Sequence, residues 1–80
     1  MNEHDATAAV VAAIREAVPG AEPEGLAPDE DLATALDLDS MDRLNIVIAL
    51  YEATGVEIPE ADLPAIRTIG DFASRLTAAA

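Results

Sequence analysis

Cysteine is absent from the 80 residues. That excludes a disulfide framework, a thiolate metal site and a cysteine nucleophile. Aromatic residues are scarce: one Phe, one Tyr and no Trp. The core must therefore be aliphatic and modest. Lysine is missing as well, and the four basic residues are Arg15, Arg43, Arg67 and Arg75. Against sixteen acids they leave a net charge of −12, with an isoelectric point near 4.1. Such a surface repels nucleic acid and anionic membranes and favours positively charged protein surfaces. No apolar run approaches the length of a membrane span. Met1-Asn2-Glu3-His4-Asp5 is acidic where a signal peptide is basic. The chain reads as a cytoplasmic monomer that does not insert into membranes.

What is present suffices for one small domain, here residues 1–80. Hydrophobic residues make up 51% and the mean hydropathy is +0.21, too apolar for a disordered chain. The periodicity predicts an all-α fold: three main helices and a short one, with a long loop between the first and second. The first helix runs from an N-cap at Asp5 to about Val18, with Val10, Ile14 and Val18 on one stripe beside Thr7 and Val11. Pro19-Gly20 stops it. The segment from Ala21 to Asp39 contains Pro23, Gly25 and Pro28. Leu26, Leu32, Leu36 and Leu38 anchor it, and Leu32 to Leu36 suits a short helical turn. A connection of that length in a compact domain is usually functional.

The second main helix begins at Asp39 or Ser40. Met41, Leu44, Ile48 and Tyr51 form one stripe, and Ile46, Val47 and Leu50 widen it until most of the circumference is apolar. That predicts a central helix touching several neighbours. Gly55 suits the C-terminal cap. Val56 to Ile58 read as extended, and Pro59 starts a short helix at its N1 position, limited or kinked by Pro64. Thr68 and Asp71 form a capping box for the last helix, whose inner stripe is Ile69, Phe72 and Leu76.

The parts for catalysis are missing. The one histidine, His4, lies at a terminus, where no Ser-His-Asp device can be held. Acid pairs abound but the chain is too short to build a cleft around them. An EF-hand fails because Met41 and the missing glycine break the pattern that Asp37 and Asp39 begin. No glycine-rich phosphate loop occurs. What remains is Ser40, within Leu36-Asp37-Leu38-Asp39-Ser40-Met41-Asp42. A serine there can simply cap the helix. It also presents a hydroxyl on a rigid element near free backbone N–H groups that favour phosphate. The Asp39 carboxylate competes for that positive end, so the place suits a tethered phosphate better than a tight anion pocket.

The whole pattern resembles the acyl carrier proteins. Their mark is Asp-Ser-Leu at the start of the second helix after a long loop, and Asp39-Ser40-Met41 is a mild variant. The resemblance continues through Gly55-Val56-Glu57-Ile58-Pro59 and Thr68-Ile69, and covers essentially all of the chain. It implies a carrier and not an enzyme. A phosphopantetheinyl transferase would move 4′-phosphopantetheine from coenzyme A onto Ser40, and the arm's thiol would hold acyl groups as thioesters for fatty-acid, polyketide or other specialised biosynthesis. It implies brief, electrostatically steered meetings with acyl-loading, condensing and processing enzymes that bear basic docking surfaces. Asp39, Met41, Asp42, Arg43, Asn45 and Glu52 are the recognition candidates. Val47, Leu50, Ile58, Leu63, Ile66 and Phe72 are candidates to line a space for the acyl chain, though each also reads as ordinary core. Arg43, Asn45 and Tyr51 stand where the family carries more acid, and Pro64 is a second departure. Both lean toward a dedicated pathway. Glu22, Glu24, Asp29, Glu30, Asp31 and Asp37 move part of the acidic field into the long loop. Two other readings remain: an aminoacyl carrier, such as a D-alanyl carrier, and an acidic adaptor that bears no cofactor.

Overall fold

The structure is a computed structural model that describes residues 1–79. It is all-α, as the sequence predicts. Helix α1 spans Glu3–Ala17, α2 Leu32–Leu36, α3 Ser40–Thr54 and α4 Ile69–Ala79. Two 3-10 segments, Pro23–Gly25 and Glu60–Ala65, complete it. The three long helices and the short turn at Leu32–Leu36 are as expected. The expected short helix after Pro59 is instead a 3-10 segment with Pro59 as its N-cap and Pro64 inside it. Proline has no N–H to donate, and the tighter turn tolerates it where a regular α-helix does not.

Helix α1 packs against both α3 and α4 and is the centre of the bundle. This corrects the expectation that α3 is central. The stripe Met41–Leu44–Ile48–Tyr51 is also not the core face. Met41, Ile48 and Tyr51 are 60%, 48% and 53% exposed, while Ile46, Val47, Ala49 and Leu50 are buried. Because α3 is apolar almost all round, its pattern alone does not choose a face, and the partner helix decides. On α1 the buried stripe is Ala6, Val10, Ala13 and Ile14. The two alanines let neighbouring backbones approach, a role that their high helix propensity hides in the sequence.

The helix ends are capped by short polar side chains. Asn2, not Asp5, caps α1: the Asp5 N–H donates to Asn2 Oδ1 at 2.7 Å. Asp31 caps α2 by accepting from the Thr34 N–H at 3.2 Å. Thr68 and Asp71 form the expected reciprocal box at α4, with bonds of 3.0 and 3.2 Å. Gly55 ends α3 in the left-handed region at φ 76°, where a side chain would be strained.

The long loop is tied down along its length. The Leu32 N–H donates to the Arg67 carbonyl at 2.8 Å, and the Gly70 N–H to the Pro28 carbonyl at 2.9 Å. A Cβ on residue 70 would stand 3.1 Å from that Pro28 oxygen, so glycine permits the approach. Three arginines staple separate segments: Arg15 to Glu24, Arg67 to Asp31 at 2.8 Å and Arg75 to Asp62 at 3.0 Å. Each is exposed enough that its worth is in the 0–1 kcal/mol range. Together they hold the loop and the 3-10 segments to the helices, and thereby fix the surroundings of the α3 N-terminus.

Candidate functional site

Ser40 is the first residue of α3 and is exposed. The capping is done one residue earlier. Asp39 Oδ1 accepts from the Asp42 N–H at 2.8 Å, and Asp42 Oδ2 accepts from the Asp39 N–H at 3.2 Å. The Ser40 hydroxyl is therefore left out of the cap. The chain reaches this point through Asp37, whose left-handed backbone at φ 55° turns it out of α2. Aspartate tolerates that region better than most side chains. Two caps in quick succession, Asp31 on α2 and Asp39 on α3, thus set where Ser40 emerges.

Ser40 stands on the rim of an open groove of about 280 Å³ between α3 and the Glu60–Ala65 segment. Met41, Leu44, Leu63 and Pro64 give it apolar walls, and Glu60 supplies an acid. An exposed hydroxyl on a rigid helix start, beside a groove of this kind, fits the attachment of an elongated phosphate-linked group. The free N–H groups of the first turn favour the phosphate, while Asp39 and Asp42 oppose a tightly held anion. Held by its covalent bond alone, such a group stays free to swing.

A second cavity, of about 220 Å³, lies beyond Arg43 and Pro64, which border both spaces. Leu38, Ile66 and Phe72 line it together with α2. The acyl-chain candidates therefore separate. Leu63 borders the Ser40 groove, and Ile66 and Phe72 form the buried floor of the second, half-open cavity. Val47 and Leu50 are buried in the core cluster, and Ile58 borders a different groove near Arg75.

The recognition candidates separate too. Asp39, Met41, Asn45 and Glu52 are exposed, and Asp42 is half-buried in the capping box. Arg43 points inward. Its Nη2 donates to the main-chain carbonyls of Leu63 and Ile66, the latter at 2.7 Å. The sequence makes it a recognition candidate because it stands where the resemblance leads one to expect more acid. The carbonyls that draw it in belong to a segment twenty residues away. Leu44 is half-buried against the core, while Met41, Ile48 and Tyr51, assigned to the core from sequence, form an exposed apolar strip on α3 that starts beside Ser40. Its only sequence signal was an excess of apolar residues over what one buried face of α3 needs.

The chain is thus an all-α acidic bundle with an exposed serine, uncommitted to the cap, at a helix start. Comparison with known proteins gives the family. The family model described as "Phosphopantetheine attachment site" matches residues 8–76, and the chain belongs to that family. Members of the family carry 4′-phosphopantetheine covalently and act as carriers, not as enzymes. Among similar proteins is the meromycolate extension acyl carrier protein of Mycobacterium leprae, 38% identical over 61 residues, which are 76% of this chain and 53% of that protein. The acyl carrier protein of Rhodococcus erythropolis is 36% identical over 59 residues, 74% of this chain and 65% of its own. That of Syntrophobacter fumaroxidans is 40% identical over 53 residues, 66% and 65% of the two chains. The chain spans about half the length of the mycobacterial relative it matches. Among the described residues no helix is long and apolar enough to cross a membrane.

Proposed function

We propose that this protein is an acyl carrier with its 4′-phosphopantetheine arm on Ser40. The observation that carries the reading is the division of labour at the start of α3. Asp39 and Asp42 satisfy the cap between them, so the exposed hydroxyl of Ser40 has no structural duty. In the loading step the Ser40 oxygen forms a bond to the phosphorus of coenzyme A that bears the pantetheine. The phosphoanhydride bond to the nucleotide half breaks, and adenosine 3′,5′-bisphosphate leaves. The serine proton passes to a base on the transferase, since among the described residues no side chain is hydrogen-bonded to Ser40. Once attached, the arm supplies a thiol for thioester formation.

The chain's own residues then present the cargo. Met41, Ile48 and Tyr51 give α3 an apolar outer face, with Asp39, Asp42 and Glu52 on the same helix. An apolar centre with a charged rim is the usual anatomy of a protein interface. Partners that fit it are a phosphopantetheinyl transferase and acyl-loading, condensing and processing enzymes with basic rims around an apolar patch. Among the described residues three arginines are paired with acids and Arg43 is bound to carbonyls. The similarity to acyl carriers supports an acyl cargo over an aminoacyl one, and a dedicated acyl pathway accounts for an apolar face where more acid was expected. Incubation with coenzyme A and a broad-specificity transferase tests the attachment: the mass should rise by one phosphopantetheine, and Ser40→Ala should abolish the gain.

A further inference from the structure

Arg43 is the one basic side chain engaged with main chain alone. It sits one turn after Ser40 on α3, and its guanidinium reaches across to the Leu63 and Ile66 carbonyls on either side of Pro64. Arg43 and Pro64 are the residues common to the Ser40 groove and the half-open cavity beside Phe72. The main helix packing runs from α1 to α3 and from α1 to α4, and neither contact includes the Glu60–Ala65 segment. Leu63 and Ile66 anchor that stretch in the core, the Arg43 clasp adds a polar tie to α3 at this height, and the exposed Arg75–Asp62 pair at 3.0 Å ties it to α4.

We propose that Arg43 is a gate: its clasp on the Leu63 and Ile66 carbonyls closes the passage from the Ser40 groove to the cavity beside Phe72. An apolar chain carried on the arm is thereby kept from passing along the groove to the Ile66 and Phe72 side chains. The inference rests on the reading of Ser40 as the attachment point. Its chemistry is a competition. To pass, an alkyl chain must displace a guanidinium that is always charged and leave two carbonyls without their donor. Such a chain brings no polar group to replace the lost hydrogen bonds. Leu63 keeps a second donor, the Ile66 N–H at 3.0 Å, but the Ile66 carbonyl has none among the described residues. The gate thus favours cargo that lies in the outer groove, open to the next enzyme, over cargo lodged against Ile66 and Phe72.

The test loads acetyl-, octanoyl- and dodecanoyl-phosphopantetheine directly onto wild type, Arg43→Met and Arg43→Lys, with loading confirmed by intact mass. Nuclear magnetic resonance follows the Phe72 ring and the Ile66 methyls, and hydroxylamine measures access to the thioester. In wild type the Phe72 and Ile66 shifts should be independent of chain length, and cleavage should be equally fast for all three. In Arg43→Met the two longer chains should shift both residues and slow cleavage several-fold. Arg43→Lys, with a point charge unable to span both carbonyls as well, should fall between. Movement of the Phe72 signal with chain length in wild type overturns the gate, and needs no variant to fold. So does an Arg43→Met protein, folded by circular dichroism, that behaves as wild type. A parallel arm adds free octanoyl-pantetheine to the unmodified proteins, with the same signals expected from Arg43→Met only. If Ser40 fails to load while this arm succeeds, the attachment reading falls and the gate stands.

Discussion

Asp39 and Asp42 hold each other's backbone N–H groups at the start of α3, at 2.8 and 3.2 Å, and Ser40 lies between them with no part in either bond. The roles of these residues can therefore be separated by substitution. Ser40→Ala should leave urea unfolding essentially unchanged. Asp39→Ala should cost about 0.5–2 kcal/mol, the usual loss for a missing N-cap. Comparable destabilisation by both would show that the serine carries structural weight.

Docking on α3 should combine charge with apolar contact. Asp42→Asn keeps an oxygen to accept from the Asp39 N–H but removes the charge. It should lower kcat/KM for phosphopantetheinylation, and the deficit should shrink as salt rises because screening weakens the attraction that was lost. Ile48→Glu changes an exposed side chain, so its stability should stay within about 0.5 kcal/mol of wild type. Its transferase rate should fall by an amount that salt does not restore. Unchanged rates for both variants at low salt would move recognition to the acidic long loop.

How much could be read in advance differs from place to place. The three long helices, the Leu32–Leu36 turn, the Thr68–Asp71 box and the Gly55 cap were legible because each depends on neighbours a few residues apart. The serine stood out for the same reason. The orientation of α3 was not legible: Met41, Ile48 and Tyr51 are as apolar as Ile46 and Leu50, and only the position of α1 decides which set is buried. Arg43 was misplaced because its acceptors, the Leu63 and Ile66 carbonyls, lie twenty and more residues away and are main-chain atoms. Main-chain carbonyls carry no residue signature, so no pattern of residue types announces such a contact.

Acid should weaken the anchor of the long loop in a defined direction. The Thr34 N–H and then the Arg67 guanidinium hold the Asp31 carboxyl below its ordinary value of 3.8. A depressed carboxylate gives stability that is fully present above the unfolded-state value and is lost as pH falls through the folded one. Asn is also a good N-cap, so Asp31→Asn removes chiefly the charge. The melting temperature of wild type should exceed that of Asp31→Asn by a constant margin near neutral pH, and the margin should close below about pH 4. A margin that persists unchanged into strong acid would mean that the Asp31 charge is not what anchors the loop.

The central claim is that Ser40, freed from capping by its two aspartate neighbours, bears the arm. Intact-mass spectrometry after incubation with coenzyme A and a broad-specificity transferase tests it most directly, followed by fragmentation to place the added group. The account predicts a gain of one phosphopantetheine, located on Ser40 and absent from a folded Ser40→Ala protein. A gain that survives the substitution, or that maps to Ser74, would contradict it.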